Sequence, residues 1–487
     1  MRILHTSDWH LGRTFHGRVL DDAHAVFADH LVELARAEAV DAVVVSGDVY
    51  DRAIPPTDSV RLLDETLRRL SDITRVILTP GNHDSARRLG FASDLLREGL
   101  TIRARIADVD RPVIVPGPDG GDGLYVYALP YLDPDAARET LPPLLADRLG
   151  EEMADAARTA VPEGARTAPE TAGDHSEKAA GDPPGTASDS PARRLPRSHE
   201  AVVSGALRLV AADLTARRAA APARVPALVM SHAFVVGGLP SEESERDIRV
   251  GGVDSVPSGV FASLGGSPSA RECGGLDYVA LGHLHRPQEI RSAGGAGRPN
   301  GPGKAGGTGG PEAGESDGPG ESGPPQRDSR PGPRLVYSGS PLALSFSEAP
   351  FPKSSVLVAL GPDGVASLER VPAPVPHRIE TVTGTMDELL SPAWDHVAGA
   401  WVRAVVRGPM PLGATSRLRE RFGQVLAIVR EEDEEAPRER IVVTRAADPL
   451  EVSAQFLAEV AERAPSPAER AVLARAYEAV LASHGGE

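Results

Sequence analysis

Short apolar runs alternate with helix-periodic stretches along the first part of the chain, from Met1 to Pro130. The clearest apolar run is Val43–Val45, whose β-branched side chains are typical of a strand buried on both faces. Between such runs, the stretches Ala25–Ala37 and Asp58–Leu70 place apolar residues at helical spacing. This alternation predicts an α/β fold.

The pattern weakens twice further along the chain. Residues 160–198 are rich in Ala, Pro, Gly, Thr and Ser, and residues 292–333 are mostly Gly, Pro, Ser and charged residues. Neither tract has enough large apolar side chains to offset the entropy of ordering it, so we predict two flexible insertions. Helical periodicity before and after the first tract predicts helices at 141–159 and 199–218.

The character of the chain changes again beyond Pro376. Strand-like runs at 378–383, 401–406 and 425–430, with a helical stretch at 412–422, predict a small α+β domain. Two further amphipathic helices are predicted at 449–463 and 467–483, separated by Pro465 and Pro467. We therefore expect three parts, with boundaries at 1–375, 376–447 and 448–487.

Five predicted strands each end in residues of the types that bind metal ions. A single histidine or aspartate at such a place can instead be a hydrogen-bonded structural residue or a turn cap, as is possible for Asp48 and Asp51. Strands of α/β folds present functional groups at their carboxyl ends, and one carboxylate can bridge two cations. Together the strand ends predict a dinuclear metal site built from Asp8 and His10, Asp48, Asn82 and His83, His232, and His283 and His285.

The ligand types limit the chemistry of such a site. Oxygen and nitrogen ligands without thiolate suit manganese, iron, zinc or magnesium, and the histidines favour first-row transition ions over magnesium. A pair of such ions can activate water and hold a phosphoester in line for attack. Phosphoester hydrolysis is therefore the reaction that these ligands favour.

Composition limits the partners and the cellular compartment that we expect for this protein. A formal net charge of −17 over 487 residues argues against a basic nucleic-acid binder without excluding one, since bound cations or a partner can supply positive charge. The single cysteine, Cys273, rules out an intramolecular disulfide and fits a reducing cytoplasm. The N-terminus shows no secretory signal and no apolar run is long enough to span a bilayer, so we expect a soluble cytoplasmic protein without a membrane association.

The chain resembles the calcineurin-like metallophosphoesterases in five motifs, which are Asp8-x-His10, Gly47-Asp48-x-x-Asp51, Gly81-Asn82-His83-Asp84, His232 and Gly282-His283-x-His285. This resemblance implies a β-sandwich flanked by helices. It also implies that one ion is held by Asp8, His10, Asp48 and His285, and the other by Asp48, Asn82, His232 and His283.

The same resemblance implies roles for residues that hold no metal. His83 would lie beside the scissile phosphate as a charge-stabilising or acid group, with Asp84 as its orienting carboxylate. Related nucleases often have a histidine where Asp51 stands, so Asp51 is expected behind the ligands and not at the phosphate.

Three further stretches resemble a narrower group, the bacterial nuclease subunits that pair with a coiled-coil ATPase. They are Leu4–Gly12, Gly47–Arg52, and Tyr337–Leu342 with Ser345–Glu348. The resemblance implies a complex with two copies of each subunit and Mn²⁺-dependent cleavage of DNA ends and hairpins. It also implies a capping domain that guides DNA and terminal helices that dock the ATPase. The alternatives are a metallophosphoesterase for non-DNA phosphoesters, which would share every ligand, and a non-catalytic scaffold.

Overall fold

The computed structural model describes residues 1–151, 194–240, 255–270, 273–290 and 332–431, together with 157, 466 and 468–473. Most of the two predicted insertions, at 160–198 and 292–333, lies outside the described residues. The same holds for most of the predicted helical segment at 448–487.

The first of two large sheets has six strands. Its central strands Arg2–Thr6, Ala42–Ser46 and Arg75–Thr79 run parallel, so their carboxyl ends lie at the same edge. In spatial order the strands of this sheet are Gly364–Pro372, Ser354–Gly361, Arg2–Thr6, Ala42–Ser46, Arg75–Thr79 and Leu100–Ile102.

The second sheet also has six strands, and Ala227–His232 and Tyr278–Gly282 run parallel at its centre. In spatial order its strands are Gln288–Ile290, Arg334–Tyr337, Tyr278–Gly282, Ala227–His232, Asp122–Ala128 and Val113–Pro116. Gln288–Ile290 pairs antiparallel with Arg334–Tyr337, with Ile290 opposite Leu335. The chain therefore leaves and rejoins the sheet side by side around the predicted 292–333 insertion.

The two sheets pack face to face, and helices cover both outer faces. Within the strand Ala42–Ser46, Val44 faces the second sheet, whereas Val43 and Val45 face helices Asp21–Ala37 and Thr57–Ser71. Since side chains alternate along a strand, a register slip of one residue would exchange these two buried faces. The result is the calcineurin-like sandwich flanked by helices that the motifs imply.

Two helices cover the second sheet, namely Pro134–Leu149 and His199–Ala220. The second confirms its prediction, with the Ser198 side chain accepting from the Ala201 N–H at its start. The prediction of a helix at 141–159 was wrong in its start and in continuing through Gly150. Asp133 accepts from the N–H groups of Asp135 and Ala136 and begins the helix earlier, and Gly150 comes directly after its last residue.

A third sheet contains Ile379–Gly384, Trp401–Val406 and Val425–Arg430, all parallel, and packs with helices Met386–Leu389 and Ala414–Phe422. This sheet has its own hydrophobic cluster, which includes Val402 and Leu418. A smaller cluster joins it to the sandwich, where the rings of Phe15 and Trp401 stack with centroids 5.7 Å apart. The three strands and the one helix predicted for this region are thus present, and the short helix Met386–Leu389 was not predicted.

The remaining elements are short. They are strands Thr14–Phe15, Arg18–Val19, Phe234–Val235 and Ser255–Val256, helices Ala86–Leu89 and Ser258–Ala262, and 3₁₀ turns Ser93–Leu95, Ile106–Asp108, Pro268–Ala270, Phe346–Glu348 and Pro392–Val397. Among the helices that the structure describes, none combines the length and apolarity that crossing a membrane requires.

Candidate metal centre

The predicted ligands meet because both sheets bring the carboxyl ends of their central strands to the same place. Two glycines allow the close approach. A Cβ atom on Gly282 would lie 1.8 Å from the Ser46 carbonyl oxygen, and one on Gly81 would lie 2.2 Å from Asp48 Oδ1. Any side chain at these positions would therefore push the loops of the site apart.

The backbone at the site is strained. Asp8, His10, Asp48 and His283 have φ values of 54°, 47°, 48° and 104°, a region that residues other than glycine rarely adopt. Each such residue costs on the order of 1–3 kcal/mol and persists only where the surrounding structure enforces it. Here backbone hydrogen bonds from Asp8 to Gly47 and from His10 to Asp48 hold the two strand-end loops together. These backbone conformations direct the side chains of the site toward a common centre.

A first group of buried side-chain atoms that could bind a metal ion comes from Asp8, His10 and His285, and these atoms lie within 4.8 Å of one another. The Nε2 atoms of His10 and His285 are 3.1 Å apart. The Nδ1 atom of His285 lies 3.0 Å from Glu348 Oε1, an acceptor, so Nδ1 carries the hydrogen and Nε2 presents a lone pair. This lone pair faces the same space as the carboxylate of Asp8, which is an arrangement that suits a cation.

A second group surrounds His232. Its Nδ1 atom lies 2.9 Å from the Ser46 carbonyl oxygen, which can only accept, so Nδ1 donates there. The opposite atom, Nε2, lies 2.8 Å from Asn82 Oδ1 and 3.4 Å from Asp48 Oδ2. A proton on Nε2 can be shared with these two oxygens, and a divalent ion with oxygen and imidazole ligands would take the place of that proton.

Asp48 lies between the two groups. Its Oδ2 atom is 3.6 Å from His10 Nε2 and 3.4 Å from His232 Nε2, and its Oδ1 atom accepts the His83 backbone N–H at 2.9 Å. Burial opposes ionisation of this carboxyl, but His232, His10 and His83 together hold its pKa well below the usual value. Burial likewise lowers the pKa of His232, and Asp48 outweighs it and raises that pKa to about 9.

His283 is placed differently from the other predicted ligands. Its backbone N–H donates to Asp8 Oδ1 at 2.9 Å, and its ring meets that of His232 edge-on with centroids 5.3 Å apart. Within the described part of the chain, the groups of three converging donor atoms do not include His283. Burial and then His232 lower the pKa of His283, so the ring is neutral. Its ligand role stays a prediction.

His83 lies at the edge of the same centre. Its Nδ1 atom is 2.7 Å from the backbone carbonyl oxygen of Asp51, and its Nε2 atom is 4.0 Å from Asp48 Oδ2. Its donor atom also falls within 4.8 Å of those of His10 and Asp48. Distance alone therefore does not separate His83 from the ligands, and its assignment as a non-ligand stays a prediction.

Asp84 accepts hydrogen bonds from the backbone of two neighbouring loops. Its carboxylate accepts backbone N–H groups of Gly81, Val49 and Tyr50 at 2.8, 3.0 and 2.9 Å. Burial and then Asp48 raise its pKa to about 7, against the effect of these N–H groups. Asp84 thus ties together the loops after two strands, and its role as the orienting carboxylate of His83 stays a prediction.

Asp51 lies behind the ring of His10, on the side away from the converging atoms. Its Oδ1 atom is 3.5 Å from His10 Nδ1 and 2.9 Å from Arg13 Nη1. Burial opposes ionisation, but the neighbouring His10 ring and the Arg13 guanidinium lower its pKa. This position agrees with the outer role expected for Asp51.

Sequence reasoning gave no role to three residues behind His285. Glu348, Lys353 and Ser340 are all buried and are connected to one another by hydrogen bonds. A signal was present in the chain, because Glu348 and Lys353 stand among apolar and proline residues just before a buried strand. Charged residues are almost never fully buried unless they are paired.

Known proteins with similar sequences point to the same chemistry. A calcineurin-like phosphoesterase family model matches residues 1–135. The D subunit of nuclease SbcCD from Rhodobacter capsulatus is 30% identical over 427 residues, which cover 85% of this chain and 82% of that protein. Its counterpart from Bacillus subtilis is 30% identical over 373 residues, or 76% of this chain and 69% of that protein.

The family match covers the part of the chain that contains the strand ends from Asp8 to Asp84. The similarity to the two relatives extends over most of the remaining chain. Identity at this level over such lengths shows common descent. The chain therefore belongs to the family of SbcCD nuclease D subunits and carries the calcineurin-like phosphoesterase domain at its N-terminal end.

Proposed function

We propose that this chain is the metal-dependent nuclease subunit of an SbcCD-type complex. It hydrolyses DNA phosphodiester bonds as a double-strand exonuclease and a single-strand or hairpin endonuclease, in DNA repair, recombination and replication. The observation that carries the proposal is the convergence of buried acceptor atoms from both sheets around Asp48. The names of the similar proteins support nuclease activity in particular.

Two divalent ions, Mn²⁺ in our proposal, are held by residues of both groups. Asp8, His10, Asp48 and His285 hold one ion, and Asp48, Asn82, His232 and His283 hold the other. The orientation of the rings supports this division, because His285 and His232 each donate from Nδ1 to a fixed acceptor and direct Nε2 inward. Bound ions of this kind supply an activated water and polarise the phosphoryl group.

His83 handles a proton in this scheme. Because Nδ1 donates to the Asp51 carbonyl oxygen, Nε2 is the atom left to face the substrate. A protonated Nε2 can stabilise negative charge on the phosphate or give its proton to the leaving oxygen. Asp84 acts indirectly, by fixing the loop that carries His83.

Cleavage assays test this function against its alternatives. We expect Mn²⁺-dependent cleavage of a linear DNA duplex and of a hairpin, abolished by chelator and restored by added Mn²⁺. A chromogenic phosphodiester serves as the comparison substrate. Hydrolysis of the chromogenic ester without any DNA cleavage would favour a phosphoesterase for other substrates, and no hydrolysis of either would favour the scaffold.

The partner in this proposal is an SbcC-type ATPase with long coiled coils, assembled with two copies of each subunit. Residues 1–375 form the nuclease domain and 376–447 a capping domain that guides DNA ends to the centre. The third sheet supports the second assignment, since Trp401 stacks on Phe15 at the edge of the sandwich and belongs to the same hydrophobic cluster as Phe346. Residues 448–487 dock the ATPase, and the complex acts in the cytoplasm.

Truncation after Asp448 tests the docking assignment. The truncated chain is expected to keep Mn²⁺-dependent cleavage, since the described metal centre draws on residues 8–285 and their neighbours up to Lys353. It is expected to lose co-purification with the ATPase and any ATP stimulation. A soluble truncated chain that binds the ATPase with unchanged affinity would contradict the assignment, as would a chain that becomes insoluble because these helices cover its own core.

A further inference from the structure

A buried charged network lies directly behind His285. Glu348 is 0% exposed, Lys353 6% and Ser340 0%, so the pair of charges has almost no contact with solvent. The network stands apart from the converging atoms of the metal centre, because it contacts His285 from the side of Nδ1 and from its backbone.

Every strong polar group of this network has a partner. Glu348 Oε1 accepts from His285 Nδ1 at 3.0 Å, while Oε2 accepts from the Leu344 N–H at 3.2 Å and pairs with Lys353. Lys353 Nζ also donates to Ser340 Oγ at 2.8 Å and to the His285 carbonyl oxygen at 3.1 Å. The three donors of the ammonium group thus meet three acceptors, and two of those contacts lead to His285.

The carboxylate is carried on a rigid support. Glu348 ends the 3₁₀ turn Phe346–Glu348. Phe346, at the start of the turn, packs in the cluster with Phe15 and Trp401, with ring centroids 5.0 Å from Phe15. The packing of Phe346 fixes the start of the turn, and the ion pair with Lys353 fixes the side chain at its end. Glu348 can therefore hold the imidazole in one rotation and one tautomer.

Stability alone does not account for a buried ion pair. Replacement of such a pair by apolar residues of similar volume is often neutral or stabilising, since desolvation offsets the attraction between the charges. By contrast, a carboxylate that accepts from the outer nitrogen of a ligating histidine orients the ring, and its loss typically weakens metal binding by roughly 10–100-fold.

We propose that Glu348 is a positioning residue for the metal ligand His285, and that Lys353 fixes both the carboxylate of Glu348 and the backbone of His285. This inference rests on the proposed metal site. It assigns the ion pair to the preorganisation of one ligand, and it explains why charged side chains occupy a position where apolar ones would fill the space.

Two double variants test the proposal. Both E348Q/K353M and E348L/K353M remove the two charges together, so neither leaves a lone buried charge. Only the first keeps an oxygen that can accept from His285 Nδ1. The measurements are the melting temperature of each metal-free protein and the Mn²⁺ affinity by isothermal titration calorimetry, with E348M/K353M as the replacement if the leucine variant does not fold.

We expect the two double variants to melt at similar temperatures, and the leucine variant to bind Mn²⁺ roughly 10–100-fold more weakly than the glutamine variant. The control is D277N, which weakens a buried ion pair with Arg218 and Arg224 away from the centre. It should lower the melting temperature and leave Mn²⁺ affinity unchanged.

Equal Mn²⁺ affinity in the two double variants would overturn the positioning role while leaving the metal site intact. An absence of Mn²⁺ binding by the unmodified protein would instead overturn the proposed metal site and this inference with it. The two failures are therefore distinguishable in one set of titrations.

Discussion

Replacement of Asp48 by asparagine is expected to abolish DNA cleavage and to reduce Mn²⁺ content at both sites. The carboxylate lies between the two groups of donor atoms, 3.6 Å from His10 Nε2 and 3.4 Å from His232 Nε2. Asparagine keeps the shape of the side chain and one oxygen to accept from the His83 N–H. It removes the negative charge, however, which two bridged cations require.

The measurements are metal content after dialysis and the rate of duplex cleavage. The affinity for Mn²⁺ should fall by more than the roughly 10–100-fold typical of an outer partner. The matched control is D51N, because Asp51 lies 3.5 Å from His10 Nδ1 on the outer side of the ring. A D48N protein that keeps both ions, or that loses no more affinity than D51N, would contradict a bridging role.

Replacement of His83 by alanine is expected to reduce turnover by roughly 10²–10⁴-fold, the usual range for loss of a general acid. Metal content should stay near that of the unmodified protein, because the two proposed ligand sets are complete without His83. Its Nε2 atom is 4.0 Å from Asp48 Oδ2, the oxygen of the carboxylate that we assign to both ions.

Metal analysis of the H83A protein decides whether His83 is a metal ligand or a general acid, because the observed distances fit both roles. Donor atoms of His83, His10 and Asp48 lie within 4.8 Å of one another, so a ligand role for His83 would also fit the distances. Loss of one Mn²⁺ per chain in H83A would make His83 a ligand. Cleavage at the unmodified rate would leave it without a role in the reaction.

Local pattern was enough to predict the central strands and the metal-type residues at their ends. Val43–Val45 lie in a fully buried strand, as β-branched residues without polar interruption predict. Asp48 comes after a glycine with φ of 86°, so the chain turns there and the carboxylate stands at the carboxyl end of the strand. The prediction that these ends meet depended on parallel wiring, which the pairing of the sheets confirms.

The predicted start of one helix was wrong because apolar periodicity does not include the capping residue that begins the helix. The helix Pro134–Leu149 begins at Asp133 and Pro134, a capping aspartate with proline in the first turn, and contains Pro142 and Pro143. Apolar periodicity alone placed its start later. The capping signal could have been read from the sequence, since it involves residues within three positions of one another.

The outer partners of the ligands were decided by tertiary packing alone. Asp84 is next to His83 in the chain, yet its carboxylate accepts the distant N–H groups of Val49 and Tyr50, and Nδ1 of His83 lies against the backbone carbonyl oxygen of Asp51. Glu348 reaches His285 across 63 residues. Residue types and strand ends determined which atoms could bind metal, because those depend on neighbours in the chain. Which nitrogen of each ring faces inward depends on where the fold places an acceptor for the other nitrogen. These acceptors, Ser46 and Glu348, are distant in sequence from His232 and His285, so no local sequence pattern predicts them.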